Sequence, residues 1–285
     1  MATALVHMAL LAYAAGAVAY LAWLVRPDTR LVNAGRFCLL AGLVLHLGSF
    51  GAARLTGLTG AGFGADMWKG GQLFSLLAAL VVAGYLALDF KYRLPVAGAF
   101  VAPFTVAVMV PAHLVHSQAR AIAPELTHSV ALAVHVGAAT LGTAALALAF
   151  GLALLYLASE QQLKSKRPGR LFARLPSMEL VDRVGYRLAV WGFVFLSLAI
   201  ATGSLVSRES LGALMPFAPK EGFAILAWVL FAALIQARLV AGWRGRRVAL
   251  LVVVGFALLA CAYAGLLSAA PHAGALAALL PGRLP

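Results

Sequence analysis

Histidines are the residues of this chain whose type and spacing could do chemistry, and all seven fall toward one side of its hydrophobic segments. They are His7, His46, His113, His116, His128, His135 and His272. Imidazole titrates near neutral pH and is a common metal ligand and axial iron ligand in proteins. Collecting every imidazole on one side therefore predicts a ligand site there. That prediction depends on how the hydrophobic segments are arranged.

The composition predicts a membrane environment for these histidines. Hydrophobic residues make up 63% of the 285 residues, charged residues make up 11%, and the mean hydropathy is +0.96. These values are typical of an integral membrane protein. A membrane-crossing helix needs about 20 mostly apolar residues. Eight segments meet or nearly meet this requirement: Leu5–Val25, Gly35–Ala53, Gly71–Phe90, Pro95–Pro111, Ser129–Ser159, Val184–Val206, Gly222–Ala241 and Val248–Ala269. We expect a single all-α transmembrane domain over residues 1–285, a polytopic bundle of about eight helices.

Two of these segments depart from a simple span. The fourth is short and contains three prolines, which predicts a tilted, kinked or partly re-entrant helix. The fifth, Ser129–Ser159, is too long for one crossing and should continue past the membrane, where Glu160 and Lys164 stand in the favourable i, i+4 order. A new helix should then begin near Ser177, whose hydroxyl can cap it, while Glu179 suits the helix dipole.

The distribution of basic residues predicts the orientation in the membrane. With the N-terminus outside, most of the 22 Lys and Arg residues fall in inner loops. The outer side holds only Arg54, Lys69, Arg120, Arg208, Lys220 and Arg283. The positive-inside rule then places both termini outside, the histidines toward the outer side, and the basic loop Lys164–Arg187 in the cytoplasm. The net charge of +13 thus reflects topology and attraction to anionic lipid, and it does not indicate a nucleic-acid partner.

His46 and His135 lie deeper within predicted spans than His7, which begins the first one. An ionisable group within a span is costly and usually functional. For His46, a hydrogen-bonded packing role is an equal alternative. An iron porphyrin with two axial imidazoles needs one on each face, so the two must come from different helices. His135 and His272, which follows the eighth segment, meet this requirement at similar depth. His113 and His116 form an H-x-x-H motif without nearby acidic or cysteine partners, and whether they bind anything stays open.

Other protein classes receive less support from the residues. The two cysteines form no C-x-x-C or C-x-x-C-H motif, which argues against a thioredoxin-like reductant and a c-type cytochrome. A small-solute transporter could use the outer histidines as proton or metal sites. A proton-coupled carrier usually needs several acidic residues within its spans. Here few are found there, and Asp89 and Asp182 both lie near inner ends.

Several motifs follow one another in the second half of the chain. They are His135-Val136, Leu154-Leu155-Tyr156-Leu157-Ala158-Ser159-Glu160-Gln161-Gln162-Leu163-Lys164, Leu175-Pro176-Ser177-Met178-Glu179-Leu180-Val181-Asp182-Arg183, Gly192-Phe193, Gly203, Pro219-Lys220-Glu221, Trp228, Arg238 and Gly242-Trp243-Arg244-Gly245. In this order they resemble the CcsA/HemX group of the cytochrome c assembly (heme-handling) membrane proteins. The resemblance covers about residues 128–272, and more loosely the four N-terminal helices. Eight spans with both termini outside agree with it.

The sequence also departs from the CcsA pattern. CcsA proteins carry a W-G-x-x-W-x-W-D motif before P-K-E, which forms an aromatic platform for heme. The corresponding stretch here, Leu211–Ala218, keeps only the glycine and one aromatic residue, Phe217. Gln236 replaces a histidine of the seventh helix, and His272 stands four residues beyond the Gly265–Ser268 stretch that resembles the family's G-L-H-S. With these losses, the chain resembles a HemX-like branch of the family.

The resemblance implies an integral membrane protein that binds b-type heme non-covalently, either stably or in transit, and assists cytochrome c biogenesis. His135 and His272 would be axial ligands of the heme iron, with His46 and Phe217 as further heme contacts. No catalytic residue is assigned, because the missing motif implies an accessory role. Other cytochrome c assembly proteins or an apocytochrome c would be partners, in the bacterial inner membrane. The alternative is a HemX-type regulator of tetrapyrrole synthesis that acts through the loop Lys164–Arg187.

Overall fold

The structure is a computed structural model that describes the backbone of residues 2–55, 70–114, 130–165, 175–211 and 219–278. Side chains are described for residues 3–53, 72–110, 130–165, 175–208 and 221–264. Within these ranges the chain forms eight α-helices and no strand. They are α1 (Ala2–Val25), α2 (Thr29–Leu55), α3 (Gly70–Tyr92), α4 (Pro95–Leu114), α5 (Val130–Lys164), α6 (Met178–Leu211), α7 (Pro219–Val240) and α8 (Arg246–Ala278).

Seven helices, α1 to α3 and α5 to α8, are long and apolar enough to cross a membrane. The eighth, α4, is apolar over the shorter range Pro95–Val110. It is one continuous helix through Pro103 and Pro111, so the described chain has no re-entrant turn there. The expected all-α polytopic membrane bundle is therefore confirmed, whereas its orientation stays a prediction.

The predicted apolar segments are shorter than several of the helices, and at α8 the difference changes the position of a candidate ligand. The last apolar segment was expected to end at Ala269, but α8 continues to Ala278. His272 therefore lies within the helix and not beyond its end. Pro271 does not stop α8, because membrane helices tolerate proline where neighbouring groups satisfy the freed carbonyl.

The predicted start of α6 and overrun of α5 are both confirmed. Ser177 precedes Met178, the first residue of α6, and its hydroxyl accepts the backbone N–H of Leu180 at 3.4 Å. α5 has 35 residues, about 52 Å at 1.5 Å per residue, which exceeds the hydrocarbon thickness. Near its end Lys164 donates to Glu160 at 2.6 Å.

The helices form two groups of four that pack in the same order. In the first unit (α1–α4), α1 packs mainly on α2, α3 on α4, and α1 also on α4. In the second unit (α5–α8), α5 packs mainly on α6, α7 on α8, and α5 also on α8. Contacts of α5 with α3, and fewer with α4, join the units. The sequence shows no fixed-period repeat, so this equivalence exists in the packing of the helices.

Both units carry an arginine–aspartate pair at one end, which we call the basic end. In the first unit Arg36 of α2 donates to Asp89 of α3 at 2.6 and 3.2 Å. In the second unit Arg238 of α7 donates to Asp182 of α6 at 2.8 and 3.1 Å. The charges are exchanged between corresponding helices. Each pair fixes the end of one helix against its neighbour.

Small residues let α5 and α6 approach closely. A Cβ atom on Gly142 would lie 3.1 Å from the backbone nitrogen of Leu196 and 3.2 Å from the carbonyl oxygen of Gly192. Close backbone approach at small residues is a common way for membrane helices to associate. The contact brings the part of α5 that carries His135 against the C-terminal half of α6.

Candidate functional site

His135 lies in the second turn of α5 and faces the backbone of α6. Its Nδ1 atom is 2.7 Å from the carbonyl oxygen of Ala199. A carbonyl oxygen can only accept a hydrogen bond, so Nδ1 must carry the proton and donate it. The neutral ring then has its lone pair on Nε2. This is the arrangement that orients histidine ligands of metals in proteins, where one nitrogen binds the metal and the other donates to a carbonyl or carboxylate.

A glycine of α6 makes room for this ring. A Cβ atom on Gly203 would lie 2.7 Å from Cε1 and 2.9 Å from Nδ1 of His135. Distances below 3.0 Å are not tolerated by real side chains, so any larger residue would push the ring aside. Ala199 and Gly203 are one helical turn apart on α6. Together they form the contact surface for His135, which we call the α6 seat.

Thr202 shares the acceptor of the α6 seat. Its hydroxyl donates to the Leu198 carbonyl at 2.7 Å and lies 3.3 Å from the Ala199 carbonyl oxygen. The second contact is long, so the imidazole of His135 is the stronger side-chain donor to Ala199. The α6 seat therefore consists of the Ala199 carbonyl, which accepts a hydrogen bond from the ring, and Gly203, whose missing side chain leaves space for the ring.

His46 occupies a different environment, in the first unit. Its side chain is 0% exposed, and its ring stacks on Phe50 at 5.2 Å between centroids. Its Nε2 atom is 2.6 Å from the hydroxyl of Ser75 on α3, and its Nδ1 atom is 3.3 Å from the hydroxyl of Tyr13 on α1. His46 thus crosslinks three helices through hydroxyl groups.

The remaining predicted ligands fall partly outside the described residues. His272 is a backbone position in α8, but its side chain is not among those described. Phe217, His116 and His128 lie outside the described residues altogether. His7 is exposed on α1. The structure places His135 and His272 on neighbouring helices, because α5 packs on α8, and it places His46 in the other unit.

A polar contact joins α5 and α8 deeper in the bundle. The hydroxyls of Thr143 and Tyr263 are 3.0 Å apart, and the ring of Phe74 on α3 meets Tyr263 edge-on at 6.0 Å. Sequence reasoning missed this contact and the α6 seat. An isolated tyrosine within an apolar span could have indicated the first. A backbone carbonyl that accepts a hydrogen bond leaves no trace in the sequence.

Two cavities lie in the part of the bundle nearer the basic end. One is lined by Tyr85, Phe100 and Gly151, and the other by Tyr156, Asp182 and Tyr186. Their volumes are about 10 and 20 Å³, room for a water molecule and not for a porphyrin. Within the described side chains, no group of three or more His, Cys, Asp and Glu residues could hold a bare metal ion.

Comparisons with known proteins identify the family of this chain. The chain is 38% identical over 92 residues to the cytochrome c biogenesis protein CcsA of Parasynechococcus marenigrum, 32% of this chain and 30% of that protein. It is 35% identical over 115 residues to CcsA of Trichormus variabilis, 40% of this chain and 33% of that protein. The alignments thus span about a third of these relatives. The family described as "Cytochrome C assembly protein" matches residues 68–272, most of the chain and most of the second unit. The chain belongs to the cytochrome C assembly protein family.

Proposed function

We propose that this protein binds heme non-covalently within the membrane and assists cytochrome c biogenesis as an accessory protein of the bacterial inner membrane. The observation that carries the proposal is the hydrogen bond from His135 Nδ1 to the Ala199 carbonyl at 2.7 Å. It sets the tautomer whose Nε2 can bind iron. Membership of the cytochrome C assembly protein family supports heme as the ligand.

The second axial ligand is assigned to His272. α8 packs on α5, so imidazoles from these two helices can approach a porphyrin from opposite faces. Bound heme would supply an iron centre with two open axial positions, and the protein would supply the two imidazoles and an apolar surface. Arg208, at the end of α6 that carries the seat, is exposed and suits the carboxylates at the porphyrin edge.

His46 is proposed as a further heme contact, which it could make only after losing one of its present hydrogen bonds. Both of its ring nitrogens are hydrogen-bonded, to Ser75 and to Tyr13. Binding iron would first require one of these bonds to break. The 3.3 Å contact with Tyr13 is the longer of the two and would be lost at lower cost. His46 therefore suits a transient contact with heme.

The accessory role follows from the stretch Leu211–Ala218. An aromatic face that stacks on a porphyrin, and a carboxylate beside it, cannot be supplied by leucine, methionine and alanine. Phe217 is the one aromatic residue available there. We therefore assign the chain to a HemX-like branch that holds heme by imidazole ligation and apolar burial, without attaching it to an apocytochrome. Partner assembly proteins would complete that step.

The test is the optical spectrum of the detergent-purified protein after addition of hemin. We expect a Soret band of six-coordinate low-spin heme in the wild type. The variants His135→Ala and His272→Ala should each change this band, because loss of one imidazole leaves iron five-coordinate or exchanges its ligand. His7→Ala, at an exposed position on α1, is the matched control and should leave the band unchanged. A wild-type protein whose spectrum after hemin addition equals that of hemin in detergent alone would contradict the proposal.

A further inference from the structure

We infer that Gly203 is a positioning residue that, with the Ala199 carbonyl, fixes His135 in the iron-binding tautomer and rotamer. The inference deepens the proposed function and rests on it where heme is concerned. Its structural part, the state of the ring in the heme-free protein, can be tested separately. Gly203 need not touch the ligand, because it acts through His135.

The first step of the argument is the direction of the hydrogen bond. A histidine that faces hydroxyl groups can exchange donor and acceptor roles, because a hydroxyl does both. His135 faces a carbonyl at 2.7 Å, which accepts only. The proton therefore stays on Nδ1 as long as the ring stays against α6. The tautomer is a consequence of where the ring is seated.

The second step is the space that the ring occupies. The Gly203 position admits the ring because it lacks a Cβ atom, which would lie 2.7 Å from Cε1 and 2.9 Å from Nδ1. The corresponding distance to Nε2 is 3.7 Å, an ordinary contact. An added methyl group would therefore press on Cε1 and Nδ1 of the ring. A ring displaced to relieve this contact would lose its 2.7 Å hydrogen bond to the Ala199 carbonyl.

The third step is that the close approach to the ring of His135 is particular to Gly203. His135 has α6 beside it because Gly142 and Gly192 hold the two helices together. Gly137, only two residues from His135 on the same helix, has open space where a Cβ atom would go. The close approach to His135 is thus specific to Gly203 and not a general feature of glycines near this end of the bundle.

The experiment compares Gly203→Ala with Gly137→Ala, two glycine-to-alanine changes in helices. With hemin, we expect Gly203→Ala to weaken heme affinity by roughly 10-fold or more, the usual cost of losing a group that orients a metal ligand, and to shift the spectrum toward the five-coordinate form. Gly137→Ala should match the wild type. In heme-free protein labelled with ¹⁵N-histidine, the wild type should show His135 protonated at Nδ1 only, assigned by its absence in His135→Gln. Gly203→Ala should show mixed tautomers.

A double-mutant cycle covers the case in which Gly203→Ala folds poorly. If the clash with the ring causes the defect, Gly203→Ala should lower the melting temperature in the wild-type background and raise or preserve it in the His135→Ala background, where the ring is gone. An equal loss in both backgrounds would overturn the inference, as would a wild-type tautomer and spectrum in Gly203→Ala. If the wild type binds no heme but Gly203→Ala changes the tautomer of His135, the proposed function is rejected and the positioning of His135 by Gly203 is retained.

Discussion

The contact between Asp182 and Arg238 should be the strongest single polar contribution to the stability of the second unit. Asp182 accepts two bonds from Arg238, at 2.8 and 3.1 Å, and one from the backbone N–H of Gly245 at 3.1 Å. The two side chains are only 14% and 13% exposed. The guanidinium also stacks on the ring of Tyr186, 4.1 Å from its centroid. Three structural elements, α6, α7 and the α7–α8 connection, therefore meet at one carboxylate.

The substitution Asp182→Asn removes the charge and keeps the shape. Breaking a buried ion pair by removing one partner costs about 3–5 kcal/mol, because the remaining charge loses its compensation. Asparagine retains one oxygen that can still accept from Gly245, so we expect the lower part of this range, about 3 kcal/mol. At about 2 °C or more per kcal/mol for a chain of this size, the melting temperature should fall by about 6 °C or more.

Glu179→Gln is the matched control, because it removes the carboxylate of an exposed ion pair in the same helix. Glu179 pairs with Arg183 within α6, but its side chain is 81% exposed, and exposed pairs contribute little. The melting temperature should therefore fall by no more than about 3 °C. Thermal unfolding in detergent, followed by the loss of monodisperse protein, measures both variants. Equal losses from Asp182→Asn and Glu179→Gln would refute the view that burial makes the first pair important.

Three further predictions address topology, the first unit and the reaction. Ser165→Cys should be labelled only from the cytoplasmic side and Gly62→Cys only from outside; labelling of Ser165→Cys from outside would reverse the orientation. Ser75→Ala should destabilise the protein by about 1–3 kcal/mol in denaturant titration, because buried His46 loses a partner, whereas Ser165→Ala, at an exposed position, should have no effect. Expressed with a reporter apocytochrome in a host that lacks its own maturation system, the protein alone should attach no heme covalently; attachment would show that the missing tryptophan motif is dispensable.

Much of the fold could be predicted from the sequence because membrane spans are governed by length and apolarity. The overrun of α5, the cap at Ser177 and the pair of Glu160 with Lys164 depend on residues close together in the chain, so local rules were sufficient. The end of α8 was wrong for a related reason. The local rule treats Pro271 as a stop, whereas membrane helices pass through proline.

The pairing of helices could not be predicted, because it depends on contacts between distant residues. The basic-end pairs illustrate this: arginine lies on α2 and aspartate on α3 in the first unit, but aspartate lies on α6 and arginine on α7 in the second. Reversal of the charges preserves the interaction but places different residue types on corresponding helices. A repeat in packing therefore coexists with a sequence that shows none.

His46 and His135 show how the identity of a hydrogen-bond partner decides which ring nitrogen carries the proton. His46 lies between the hydroxyls of Tyr13 and Ser75, and each hydroxyl can donate or accept, so neither ring nitrogen is fixed as the proton carrier. His135 lies against the carbonyl of Ala199, which can only accept, so its lone pair is fixed on Nε2. In the proposed site, iron binding by His46 would break a bond within a buried cluster. Iron binding by His135 would use Nε2 of a ring whose Nδ1 proton is held by the Ala199 carbonyl, and that hydrogen bond would strengthen the imidazole as a donor to the metal.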